Sequence, residues 1–108
     1  MSLPTEIFGE VVVVHTPEEL GEDQADAVEA FLLSRERNRV IVDLDGTETL
    51  DSAGLTCLLS AQQRLREAGG ELKITTANHV NRKILEITRL DKRLEVFENM
   101  IEAVKSFV

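Results

Sequence analysis

Ser52 stands where a side chain could do chemistry or have chemistry done to it. It lies in Asp51-Ser52-Ala53-Gly54-Leu55, after the run Val40-Ile41-Val42-Asp43-Leu44 and an acidic turn containing Gly46. A serine hydroxyl can attack a substrate if a base and an orienting acid are brought to it, or it can accept a phosphoryl group from another protein. The first use fits poorly. The surroundings are not the Gly-x-Ser-x-Gly turn of serine hydrolases, and His15 and His79 are the only histidines that could serve as base. A non-enzymatic protein is expected, with both histidines as ordinary surface or strand-end residues.

The other chemistry-bearing residues give quieter expectations. Cys57 is the single cysteine and sits among leucines, so it reads as a small buried hydrophobe. Two histidines and one cysteine without short ligand spacing argue against a structural zinc site. Asp43, Asp45 and Asp51 resemble the acidic clusters that hold magnesium, but such sites draw their acids from different strands and these come from one segment. A solvated acidic loop is expected instead. Gly69-Gly70 follows a helical pattern and reads as a stop signal, not a phosphate loop. No cofactor and no metal are expected.

Composition bounds the partners. The chain has 108 residues, 43% hydrophobic and 30% charged, which suits one domain spanning residues 1–108. Its net charge of -8 argues against nucleic acid and against anionic membrane surfaces, because both need a positive face. With four Phe and no Trp or Tyr it has few platforms on which bases could stack. No apolar run reaches the ~20 residues of a membrane span. The opening MSLPTEIFGE has no basic segment followed by an apolar one, so a cytoplasmic protein is expected.

The elements that must position Ser52 are legible from periodicity. Thr5 to Phe8 and Val11 to His15 read as two short strands around Gly9-Glu10, either an antiparallel pair or one broken edge strand. Thr16-Pro17-Glu18-Glu19 has the form of a capping box, but Gly21 follows, so a short turn is expected there. A helix from about Glu22 to Glu36 carries Ala27, Val28, Phe31 and Leu32 inward, with Asp23, Asp26 and Glu29 as a solvated face. Val40 to Leu44 is apolar at nearly consecutive positions, the mark of a strand buried on both faces. A second helix, marked by Leu55, Leu58, Leu59, Gln62 and Leu65, runs to Gly69-Gly70, and Glu71 to Thr76 follows as a strand.

Asn78 or Asn81 starts a third helix with Val80, Ile84, Ile87 and Leu90 on its inner face and Leu85 beside it. Leu94 to Phe97 is a last short strand. Asn99 caps a terminal helix with Met100, Ile101, Val104 and Phe107 inward and Glu102 and Lys105 outward. Alternating strands and helices on short connections imply an α/β domain: a mixed, mostly parallel sheet of four to five strands with about four helices.

This order places Ser52 outside the carboxyl end of a buried strand and at the start of a helix, an edge where α/β sheets meet ligands and partners. A phosphate there would be tolerated by the free N–H groups of the helix start, yet would add about -1.5 to -2 charges to the surface. Asp51 and Ser52 are equally good helix caps, with Gly54 allowing close packing, and spacing alone does not separate capping from regulation.

Asp51-Ser52-Ala53-Gly54-Leu55 after VIVDL resembles the signature of STAS domains, the family of anti-sigma factor antagonists. Ala77 to Val104, ANHVNRKILEITRLDKRLEVFENMIEAV, resembles that family's third helix, its turn, its last strand and its terminal helix, and Glu71 to Thr76 matches the preceding strand. The likeness covers the chain from Val40 onward, while Leu20-Gly21-Glu22-Asp23 only echoes the family's Gly-Glu-Leu-Asp loop. It implies a STAS-like fold and a phosphorylation switch. An anti-sigma factor that is also a serine kinase would phosphorylate Ser52, a serine phosphatase would reverse this, and the unphosphorylated form would sequester the anti-sigma factor. Asp51 would shape the loop and Gly54 would let it approach the partner; Ala53 replaces a Ser or Thr common in the family. Thr56, Ser60 and Gln63 would complete the partner face. The alternative within the same fold is a non-switching subunit docked on a transporter or lipid-transport ATPase.

Overall fold

The computed structural model describes all residues, Met1–Val108, and its centre is the strand the hydrophobic run predicts. Strands β1 (Thr5–Phe8) and β2 (Val11–His15) precede β3 (Glu19–Leu20) and helix α1 (Glu22–Leu33); β4 (Arg39–Asp43) and β5 (Thr49–Leu50) lead into α2 (Ser52–Glu67). Then come β6 (Glu71–Thr75), α3 (His79–Ile87), a 3-10 turn (Leu90–Lys92), β7 (Val96–Phe97) and α4 (Met100–Lys105). The main sheet has the order β1-β2-β4-β6-β7, with β1 antiparallel to β2 and the remaining pairs parallel. It is a mixed α/β fold with a five-stranded, mostly parallel sheet and four helices, as the alternation of elements implies.

The consecutive apolar residues of β2, β4 and β6 are explained by two covers. Val12, Val14, Val40, Val42, Leu72 and Ile74 point to one side, where they pack with Val28 and Leu32 of α1 and Leu58 and Leu65 of α2. Val11, Val13 and Ile41 point to the other, with Ala103 of α4 and the half-buried Phe97, Met100, Val104 and Phe107. Period-two alternation sends each strand's neighbours to opposite covers, so both sets must be apolar. Burying one such side chain stabilises the fold by roughly 1.5–3 kcal/mol. Lys73, opposite Ile41 in the register, is the polar exception on the α4 side. Its Nζ donates to Ser106 O at 3.2 Å and Ser106 Oγ at 2.9 Å and lies 4.3 Å from the centre of the Phe107 ring.

Several boundaries differ from the sequence reading. Thr16 to Glu19 forms no capping box: the Thr16 hydroxyl is buried and donates to Asp43 O, and the chain continues into β3, which pairs in parallel with β5. Helix α1 stops at Leu33, three residues short of Glu36, where Ser34 N closes onto Ala30 O. Ala25, not Ala27, is its inward alanine. Helix α2 ends as expected. Gly69 adopts φ +84 and donates to Arg66 O, while Gly70 donates to Leu65 O, the paired bonds of a Schellman motif.

The faces of the two last helices are corrected more deeply. Val80 and Ile87 are 63% and 71% exposed, and α3 instead turns Asn81 and Leu85 inward. Asn81 Nδ2 donates to Leu44 O at 3.1 Å and Thr47 O at 2.9 Å, and it is this polar anchor that sets the rotation of the helix. Leu90 is buried, but in the 3-10 turn, which Arg89 enters at φ 62. On α4 Ile101 points outward, at 66% exposure, and Ala103 takes the inward place.

Candidate functional site

The loop that carries Ser52 is held from three sides. Thr47 Oγ1 donates to Pro17 O at 2.6 Å, Asn81 grips Leu44 and Thr47 as described, and Asp45 Oδ1 accepts from Ala77 N at 2.7 Å. Asp43 is not part of a solvated loop as expected. It is buried at the end of β4, accepts from Asp45 N with Oδ1, and has Oδ2 2.9 Å from His15 Nδ1. His15 is also 2.7 Å from Glu6 Oε2 through its other ring nitrogen, so this histidine ties β1, β2 and β4 together at the strand ends. Asp43, Asp45 and Asp51 serve as acceptors for the chain's own groups, and no cluster of acidic, histidine or cysteine side chains is arranged to hold a metal.

The β3–β5 pair, which sequence periodicity could not show, brings two helix starts side by side. Leu20 and Leu50 are register partners; Gly21 caps α1 and Asp51 caps α2. Asp51 N donates to Leu20 O at 3.3 Å, and its side chain lies so close to Gly21 that a Cβ there would be 2.7 Å from Oδ2. The ambiguity between Asp51 and Ser52 as cap is resolved: Asp51 Oδ1 accepts from Ala53 N at 2.9 Å and Gly54 N at 3.2 Å. Ser52 is the first helical residue, exposed, with its hydroxyl outside the cap.

Ser52 lies on a groove of about 470 Å³ between the two helices, lined by Glu22, Ala25, Asp26 and Glu29 of α1 and by Ser52, Ala53, Thr56 and Cys57 of α2. No histidine and no basic residue lines it. Glu29 Oε2 accepts from Ser60 Oγ at 2.8 Å and from Arg64 Nη1 at 3.4 Å, while Glu22 and Asp26 are exposed. Asp26 is exposed, as the sequence reading expects, at the rim of the groove; Glu29, expected on the same solvated face, is half-buried and bonded to α2, a placement visible only once the two helices are docked. Cys57 is buried as expected. Burial pushes its thiol up to about 12, with the charges of Glu29 and then Asp26 adding to the effect.

The expected partner residues do not form one uniform surface. Ser52, Thr56 and Gln63 fall on one exposed stripe of α2, at i, i+4 and i+11. Leu59, expected in the core, is half-buried beside that stripe. Asp51 is exposed and Ala53 half-buried at its start. Ser60 and Gly54 are corrections: Ser60 is turned into the contact with Glu29, and Gly54 is buried against the chain itself. A Cβ on Gly54 would stand 2.2 Å from Leu20 O, so the close approach it permits is between α2 and β3.

Comparison with known proteins follows this geometry. The family model described as STAS domain matches residues 2–103. An anti-sigma F factor antagonist of Paenibacillus polymyxa is 22% identical over 98 residues, covering 87% of this chain and 84% of the relative. The crystal structure of a Thermotoga maritima protein, described as a candidate anti-sigma factor antagonist, superposes with a TM-score of 0.87 at 21% identity and covers 96% of this chain and 92% of that one. The Bacillus cell fate determinant SpoIIAA in its phosphorylated form superposes with a TM-score of 0.71 at 17% identity, covering 99% of this chain and 100% of that one. With the α/β topology, the Asp51-capped helix and a family match across nearly the whole length, the chain belongs to the STAS domain family.

Proposed function

We propose that this protein is an anti-sigma factor antagonist, a binding module and not an enzyme, switched by phosphorylation of Ser52. The observation that carries the reading is the division of labour at the start of α2. Asp51 satisfies the helix N-terminus, which leaves the Ser52 hydroxyl exposed and free for a kinase. The name of the Paenibacillus relative and the phosphorylated state of the SpoIIAA structure support the same role.

The unphosphorylated protein would present Ser52, Ala53, Thr56 and Gln63, framed by Asp51, to an anti-sigma factor that is also the serine kinase. Binding sequesters that factor and releases its sigma factor. Phosphorylation adds about -1.5 to -2 charges. Here they fall beside Glu22 and Asp26 in a chain of net charge -8. Repulsion and the cost of desolvating the phosphate would then open the interface. A serine phosphatase would restore the binding form. Such a cycle belongs in the cytoplasm, and no helix of the protein is long and apolar enough to cross a membrane.

The test is the affinity for the anti-sigma factor kinase of wild type, Ser52→Ala and Ser52→Asp. Ser52→Ala should bind and resist phosphorylation, and Ser52→Asp should bind at least ~10-fold more weakly, a loss of about 1.4 kcal/mol or more. Equal affinity of all three would remove Ser52 from the interface and with it the switch.

A further inference from the structure

His15 is held by an acid on each side. Its Nδ1 lies 2.9 Å from Asp43 Oδ2 on β4, and its Nε2 lies 2.7 Å from Glu6 Oε2 on β1. Each contact needs a hydrogen between nitrogen and oxygen, because two bare atoms at that distance would set lone pair against lone pair. A neutral imidazole brings one N–H and satisfies one contact; the second needs a further proton, on the ring or on a carboxyl. The two short contacts therefore fix a proton count: Glu6, His15 and Asp43 together hold one more than a neutral ring between two carboxylates would. These are the charged groups bonded to the ring, from β1 and β4. β2 carries no other titratable residue, and Asp45, next to Asp43 in the network, turns its carboxylate to Ala77 N.

We propose that this extra proton is a latch on β1: the edge strand is fastened while the cluster holds the proton and loosened when it leaves. The two contacts are unequal, and that decides which one opens. The Asp43 side chain is only 10% exposed, and its other oxygen accepts from Asp45 N at 2.9 Å, so it cannot turn to water. Without a ring N–H it would be a buried acceptor left unpaired, which is the costlier loss. The Glu6 side chain is 47% exposed, on a strand whose four residues all face solvent, and water can take its carboxylate. The remaining N–H therefore stays on Nδ1, and Glu6 is released. The sign follows: the fastened state exists at low pH and is lost as pH rises through the titration of the cluster. β1 is the strand for which such a bond matters most. It pairs only with β2, its outer edge has no partner strand, and none of its side chains is buried. Its other hold is the backbone ladder, in which His15 N donates to Pro4 O and, by the antiparallel alternation, Glu6 and Phe8 turn their N–H groups to β2. The latch does not depend on the Ser52 reading.

Amide hydrogen exchange in the full chain tests this, with protection factors compared across pH so that the intrinsic acceleration by base cancels, and with the carbon-bound ring protons of His15 followed in the same samples. From about pH 5 upward, protection of the Glu6 and Phe8 amides should fall about two- to fivefold, the weight of one half-exposed ion pair, with the same midpoint as the His15 ring signals. Ile41 and Leu72, buried at the centre of the sheet, should not change. Glu6→Gln separates the latch from the simple loss of a contact: its side-chain amide can donate to a bare Nε2 or accept from Nε2–H, so β1 should stay protected with no step in pH. Glu6→Ala should be loose at every pH, and His79→Gln should behave as wild type. No step at β1 in wild type, a step in Glu6→Gln as large as in wild type, or an equal fall at Ile41 and Leu72 would each overturn the proposal.

Discussion

Replacing Gly54 by alanine separates two effects of opposite sign. On helix propensity alone Ala in place of Gly at an interior position stabilises by up to about 1 kcal/mol. Here the added Cβ would lie 2.2 Å from Leu20 O and 3.0 Å from both the Leu20 carbonyl carbon and Cγ, where ordinary contact begins at 3.4 Å. The obstacle is backbone, held in the β3–β5 pair, so α2 or β3 must move by about an ångström. Overpacking of this kind costs about 1–3 kcal/mol, and with propensity offsetting part of it we expect a net loss of about 1–2 kcal/mol. For a domain of this size each kcal/mol lowers the melting temperature by roughly 4–8 °C. Urea unfolding followed by circular dichroism measures the difference, with Gly46→Ala as the control, because nothing lies within 4 Å of a Cβ there. A Gly54→Ala protein as stable as wild type, or more stable, would refute the packing argument. The same movement shifts Asp51 and Ser52, so under the proposed function the variant should also bind an anti-sigma factor more weakly.

Asp51→Ala removes the acceptor for two helix N–H groups and should cost about 1 kcal/mol in the same unfolding assay, with Asp51→Ser recovering much of it. Cys57 should resist modification in the native state: with the thiol titrating near 12 instead of 9.0, the thiolate fraction at pH 8 is about a thousandfold smaller than for a free thiol, and a chromogenic thiol reagent should report it. Because the folded value is the higher one, the associated stability is intact below pH 9.0 and is lost as pH rises towards about 12; wild type should weaken across that window more steeply than Cys57→Ala. Lys73→Met keeps the apolar stem but loses the bonds to Ser106 and the contact with Phe107, and should cost about 1–2 kcal/mol and speed hydrogen exchange at the end of α4.

What the sequence revealed, and what it hid, follows the range of the forces involved. The β4 run and the ends of α2 are local signals: β-branched residues buried on both sides, an Asp-Ser pair at the helix start and a Gly in the left-handed region at its end, each readable within a few residues. Strands β3 and β5 are two residues each, too short for any period, and exist because Leu20 and Leu50 meet across the fold. The outward stripe of α3 looked like a core face because Val80, Ile84 and Ile87 are apolar at helical spacing. The buried Asn81 amide, needed by Leu44 and Thr47, outweighs that stripe. At the site, Ser52 and Asp51 were legible as a pair, but their separate duties were not: a hydrogen bond chooses the cap, and type alone does not. Glu22, Asp26 and Glu29 gave no signal as neighbours of Ser52, since their place in the groove depends on how α1 docks on α2.

The central claim concerns one hydroxyl, and phosphoryl transfer to it is the most direct test. The purified protein is incubated with the anti-sigma factor kinase that the proposed function requires and ATP, and the products are mapped by mass spectrometry and then assayed for binding. The account predicts one added phosphate, located on Ser52 and absent from Ser52→Ala, and a phosphorylated protein that no longer holds the kinase. A protein that binds the kinase but gains no phosphate, or gains it at another residue, would contradict it.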